Sequence, residues 1–120
     1  VDDRAWTERA VQTARQVCAQ DRIPERAALQ NLLRFAQAHD TIAEIELFIR
    51  YQGARAGAGQ RDFFTSLAKH VVDLCDGDPE RARRFLGYVV RAGVIQRESQ
   101  RGQGAQRGHT GPRPTSAGRR

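Results

Sequence analysis

Two stretches of the chain gather side chains suited to holding an anion. Glu44 to Arg55 reads EIELFIRYQGAR and Pro79 to Gly93 reads PERARRFLGYVVRAG, each with guanidinium groups, an aromatic and a glycine outside the positions a helix would turn inward. A guanidinium is a planar fork of donors that matches phosphate, and an aromatic ring can stack on a base. Placed at 100° per residue, Arg84, Tyr88 and Arg91 share the flank away from Phe85 and Leu86, with Arg81 at its edge and Gly87 beside them. Arg84 and Arg91 lie two turns, about 10 Å, apart, a spacing that reaches different phosphates along one strand while Gly87 admits a backbone. The same pattern also reads as a solvated charged face with Tyr88 half buried.

The earlier stretch has two apolar sides. Ile42, Ile45, Ile49 and Gln52 form one, and Leu47 and Tyr51 project from the other, flanked by Arg50 and Arg55. A helix apolar on two sides is either sandwiched inside its own domain or docked on a partner. Upstream, Gln30, Asn31, Arg34 and Gln37 point away from an apolar stripe, and amides with an arginine can bond backbone oxygens and sugar hydroxyls without sequence preference.

Catalytic constellations are missing from the pattern. His39, His70 and His109 stand far apart with no HExxH, and there is no phosphate loop or GxSxG. The glycine-rich GARAGAG of Gly53 to Gly59 follows a helical stretch where a dinucleotide site would need a strand. His70 near Asp73 has the i, i+3 spacing of solvated neighbours. Cys18 and Cys75 belong to no CxxC or Cys/His cluster and read as buried free thiols. We therefore expect no enzyme, metal, cofactor or small-molecule substrate.

Five helices are needed to position these residues, and the 3.6-residue period supplies them. The first spans about Asp3 to Gln20 with Trp6, Ala10, Thr13 and Val17 inward; Pro24 opens the second, with Leu29, Leu32, Leu33 and Ala36. Thr41 to Glu44 is a capping-box pattern for the third, and the fourth, about Gln60 to Asp76, turns in Phe64, Leu67, Ala68, Val71 and Cys75. Asp78 caps the last and Pro79 takes its first position; Ala82, Phe85, Leu86 and Val89 face inward, and Gly93 is expected to stop it, with Val94 and Ile95 folding back. No strand pattern is present. The expected fold is all-α, a compact bundle of about five helices over residues 1–95.

Charge divides at that boundary. Residues 1–95 hold 14 Lys+Arg against 13 Asp+Glu, a net of +1, and residues 96–120 hold 6 Arg against Glu98, a net of +5. With five Gly and two Pro and no large aliphatic residue, 96–120 cannot bury enough surface to offset its ordering entropy and reads as a disordered basic tail. No apolar run approaches the roughly 20 residues of a membrane span, and no secretory pattern opens the chain, so a cytoplasmic location is expected.

The order of these features resembles a family, the small helical subunit of type III-A CRISPR–Cas effector complexes. LQNLLRF (Leu29 to Phe35), FIRYQGAR (Phe48 to Arg55) and RRFLGYVVRAG (Arg83 to Gly93) look like its three successive helical elements. The resemblance implies a non-catalytic subunit of an antiviral ribonucleoprotein, stacked in several copies along the guide RNA–target RNA duplex. Arg34, Arg50, Arg55, Arg84 and Arg91 would contact the RNA backbone. Leu47 and Tyr51 would meet neighbouring protein, including further copies of the chain, and no membrane is implied. The alternative from the residues themselves is a small helical DNA-binding regulator, although Asp78 and Glu80 make an electrostatically poor start for a recognition helix. A protein-only adaptor would leave the arginines as solubilising groups.

Overall fold

The helix signals read above convert into five helices: α1 (Asp3–Cys18), α2 (Arg26–Ala38), α3 (Ile42–Arg55), α4 (Ala58–Cys75) and α5 (Pro79–Thr110). The structure, a computed structural model, describes residues 3–20 and 22–110, with side chains up to residue 100. Among the described residues there is no strand, and no helix is long and apolar enough to cross a membrane.

Local chemistry sets the helix ends. Thr41 Oγ1 accepts from Glu44 N at 3.2 Å and donates to Glu44 Oε1 at 2.8 Å, so the expected capping pair opens α3. Between α4 and α5 the chain reverses in three residues, with Asp76 (φ 49°) and Gly77 (φ 76°) left-handed and Asp78 Oδ1 accepting from Glu80 N at 3.0 Å. Pro24 is buried just ahead of α2 and does not open it; the helix starts at Arg26.

The inward stripes meet in one core. Trp6, Leu29, Leu32, Ile45, Ile49, Phe63, Leu67, Phe85, Leu86 and Val89 are all buried. Phe63 joins Phe64 in that core, where the periodicity indicated Phe64 alone. Helices α3 and α4 form a hairpin, α5 packs along both α1 and α2, and α3 packs on α4 and α2 without substantial contact to α5. Long polar contacts lock this arrangement: Trp6 Nε1 donates to Leu74 O at 2.7 Å. Arg83 closes the C-terminus of α2, donating to Ala36 O at 2.8 Å and His39 O at 2.9 Å.

The last helix corrects the sequence reading. Gly93 does not stop it; α5 continues to Thr110, and Val94 and Ile95 stay on the helix surface. A glycine ends a helix by turning left-handed, but Gly93 keeps helical geometry because α2 needs the space: a Cβ there would lie 2.6 Å from Leu29 Cδ1. The domain boundary at residue 95 also moves, since Arg97 donates to Ile23 O at 2.8 Å and Gln100 to Gln20 O at 3.1 Å. Residues 96–100 thus belong to the folded unit. The rest of the expected disordered tail, at 111–120 and in the side chains of 101–110, lies outside the described residues.

Candidate functional site

The five arginines expected to meet RNA stand in different settings. Arg84 is tied into the seam between α1 and α5: Nη1 donates to Asp3 Oδ1 at 2.8 Å, and Nη2 to Thr7 Oγ1 at 2.6 Å and the Tyr88 hydroxyl at 3.4 Å. Its guanidinium sits 5.0 Å from the centre of the buried Trp6 ring, with that of Arg81 at 5.1 Å. The hydrogen bonds to Asp3 and Tyr88 raise its pKa above the ordinary arginine value. Arg84 thus keeps about a third of its side chain exposed, but it is tied to α1 rather than standing free on the flank. The wheel cannot show that α1 comes to lie along that flank.

Two turns further on, Arg91 is exposed and makes no hydrogen bond or ion pair with a described residue. It lines a groove of about 210 Å³ between α1 and α5 with Val11, Arg15, Tyr88, Ala92 and Ile95. Arg15 is equally exposed and likewise makes no hydrogen bond or ion pair with a described residue. Sequence reading passed over Arg15, because nothing local distinguishes it; only the packing of α1 on α5 sets it beside Arg91. Arg34 is exposed on α2 and has no polar partner among the described residues.

Arg50 and Arg55 belong to another side of the molecule, on α3. Arg50 Nε donates to Glu46 Oε2 at 2.9 Å in an exposed i, i+4 pair, and the Arg55 guanidinium lies 5.5 Å from the Tyr51 ring centre. The structure does not gather all five arginines on one surface.

The second apolar side of α3 is open. Leu47 is 70% and Tyr51 54% exposed, which decides against internal packing of this strip. Together with Phe35, Glu44 and Phe48 they line a shallow, mostly apolar groove of about 420 Å³. Its wall is a stack that the sequence did not single out: Phe48 lies on Phe35 with centroids 4.0 Å apart, and Phe35 on His39 at 3.7 Å.

Other candidates carry less. A hollow of about 390 Å³ beside Trp6 sets Arg9 and Arg81 against Asp73 and Asp76, which leaves no net charge for a polyanion. His70 and Asp73 make no hydrogen bond with each other, and among the described residues no three His, Cys, Asp or Glu side chains are placed to hold a metal. Burial pushes the Cys18 thiol up to about 11 and that of Cys75 to about 12, where Asp78 adds to the rise and Arg81 offsets part of it. Neither thiol is a ready nucleophile.

No family model, curated protein or solved structure matches the chain. The functional reading rests on these residues.

Proposed function

We propose that this chain is a non-catalytic small subunit of a type III CRISPR–Cas ribonucleoprotein effector, which binds the backbone of the guide and target RNA without sequence preference and packs against neighbouring subunits in the cytoplasm. The observation that carries the RNA part is the pair of guanidiniums, Arg15 and Arg91, that have no partner among the described residues and line, with Tyr88, the groove between α1 and α5. Cations already neutralised by carboxylates have little to offer phosphate, whereas these two stand ready for it. Arg34 adds a further exposed cation, and Arg84 serves by holding Tyr88 in place. Phosphate contacts of this type release counterions and carry no base information, so sequence choice falls to base pairing between the RNAs. The open Leu47–Tyr51 strip supports the packing part.

The test is a salt series. RNA binding by the wild type and by Arg15→Ala/Arg91→Ala is measured across ionic strengths, within the assembled complex where the free chain binds too weakly. Each lost contact should flatten the plot of log affinity against log salt by about 0.7 to 0.9, and equally for unrelated sequences. Identical slopes would remove the backbone role. A loss confined to one sequence would point instead to a base-reading regulator.

A further inference from the structure

The exposed face of α3 has a polarity along its length. Measured at 100° per residue from Glu44, Leu47, Phe48, Tyr51 and Arg55 all fall within about 60° of it, so the face runs acid, apolar, apolar, aromatic, base. Glu44 and Arg55 bracket it, about 16 Å apart along the axis. Both ends and the apolar middle at Leu47 and Tyr51 are exposed. Glu44 uses one carboxylate oxygen for Thr41, which leaves the other available. Arg55 has no ion pair with a described residue; its guanidinium lies over the Tyr51 ring, 5.5 Å from the ring centre.

Such a face is complementary to itself when reversed. We infer that α3 pairs antiparallel with α3 of a second copy of this chain about a two-fold axis, with Glu44 of each copy against Arg55 of the other. In that register Tyr51 of one copy lies over Leu47 and Phe48 of the other, and the groove beside Phe35 closes. Parallel pairing would set Glu44 on Glu44 and Arg55 on Arg55, and like charges in contact repel. A two-fold contact uses the same patch on both copies, so this face joins two copies and no more. The buried middle supplies the attraction and the two rim ion pairs set the direction, since exposed pairs contribute little by themselves. The inference rests on reading the strip as a protein contact and is independent of the groove between α1 and α5.

Sedimentation equilibrium of the full chain, without RNA, from micromolar to several hundred micromolar, tests it. The wild type should follow a monomer–dimer equilibrium, and Leu47→Asp should weaken it about tenfold or more. Arg55→Glu should also weaken it, and Glu44→Arg combined with Arg55→Glu should restore most of the loss. Leu47 and Arg55 are exposed, so their variants should keep the helical signal and melting temperature, which are recorded for each protein. A wild type that is monomeric throughout, a dimer indifferent to Leu47→Asp, or a folded charge-swapped variant that stays weakened would each overturn the pairing. A monomeric wild type whose Leu47→Asp variant fails to co-purify with other subunits would reject self-pairing and leave the protein-contact reading standing. Retained co-purification would count against that reading as well.

Discussion

Arg84 and Arg91 are the same residue type, seven positions apart on one flank of one helix, and tertiary packing gives them opposite duties. Arg84 bonds Asp3, Thr7 and Tyr88 and lies on Trp6, so it fastens α1 to α5. Arg91 bonds nothing described and remains available. Arg84→Ala should therefore lower the melting temperature, and Arg91→Ala should leave it nearly unchanged while reducing the salt dependence of RNA binding; thermal melts and the salt series separate the two. A melting temperature indifferent to Arg84→Ala would mean that the seam is held by its apolar contacts alone. The cysteines allow a prediction in pH. Folded thiols at about 11 and about 12 lie above the ordinary 9.0, so the unfolded chain gives up its protons first as pH rises. Their contribution to stability is complete below pH 9 and is lost as pH climbs through about 11 to 12. Urea midpoints should fall over that range, and the fall should be shallower in Cys75→Ala.

At the scale of helices, three glycines of similar appearance in the sequence have distinct roles. A Cβ at Gly53 would sit 2.7 Å from Phe64 Cβ, an atom fixed close to the backbone, so α3 and α4 would have to separate. At Gly93 the obstacle is the Leu29 Cδ1 methyl, the end of a side chain held in the core. Gly53→Ala and Gly93→Ala should each destabilise by about 1–3 kcal/mol in denaturant unfolding, with Gly53→Ala the worse. Gly87 has open space where its Cβ would be. Gly87→Ala should raise stability by about 0.5–1 kcal/mol, as expected for alanine inside a helix. If an RNA backbone also runs close to α5 there, the same variant should bind RNA more weakly although it is more stable. Equal or tighter binding would show that no strand approaches at Gly87.

At the scale of the molecule, the segment after Ile95 contributes to the fold as well as to charge. Deleting residues 97–120 removes the bonds from Arg97 and Gln100 to the connection between α1 and α2, and should cost about 1–3 kcal/mol in chemical unfolding. Deleting only 101–120 spares both bonds and takes away five arginines and no acid. That shorter deletion should weaken nonspecific RNA binding at low salt, with the effect vanishing as salt screens it. Equal melting temperatures for the two truncations would show that the Arg97 and Gln100 contacts are unimportant.

Helix number, the inward stripes and the α3 cap were legible in the sequence because each depends on neighbours within a turn or two: Thr41 finds Glu44, and Ala82, Phe85, Leu86 and Val89 repeat at the helical period. The all-α class follows from that local chemistry alone. What tertiary structure decided is where each outward residue ends up. Arg84 was claimed by α1 and Arg83 by the end of α2, Arg15 was brought beside Arg91, and the Leu47–Tyr51 strip was left uncovered. Gly93 reads locally as a stop and became a crossing point, because Leu29 lies far off in sequence and only α2 packing on α5 brings it there. Periodicity tells which side of a helix avoids water; it says nothing about which other helix will arrive on the remaining sides.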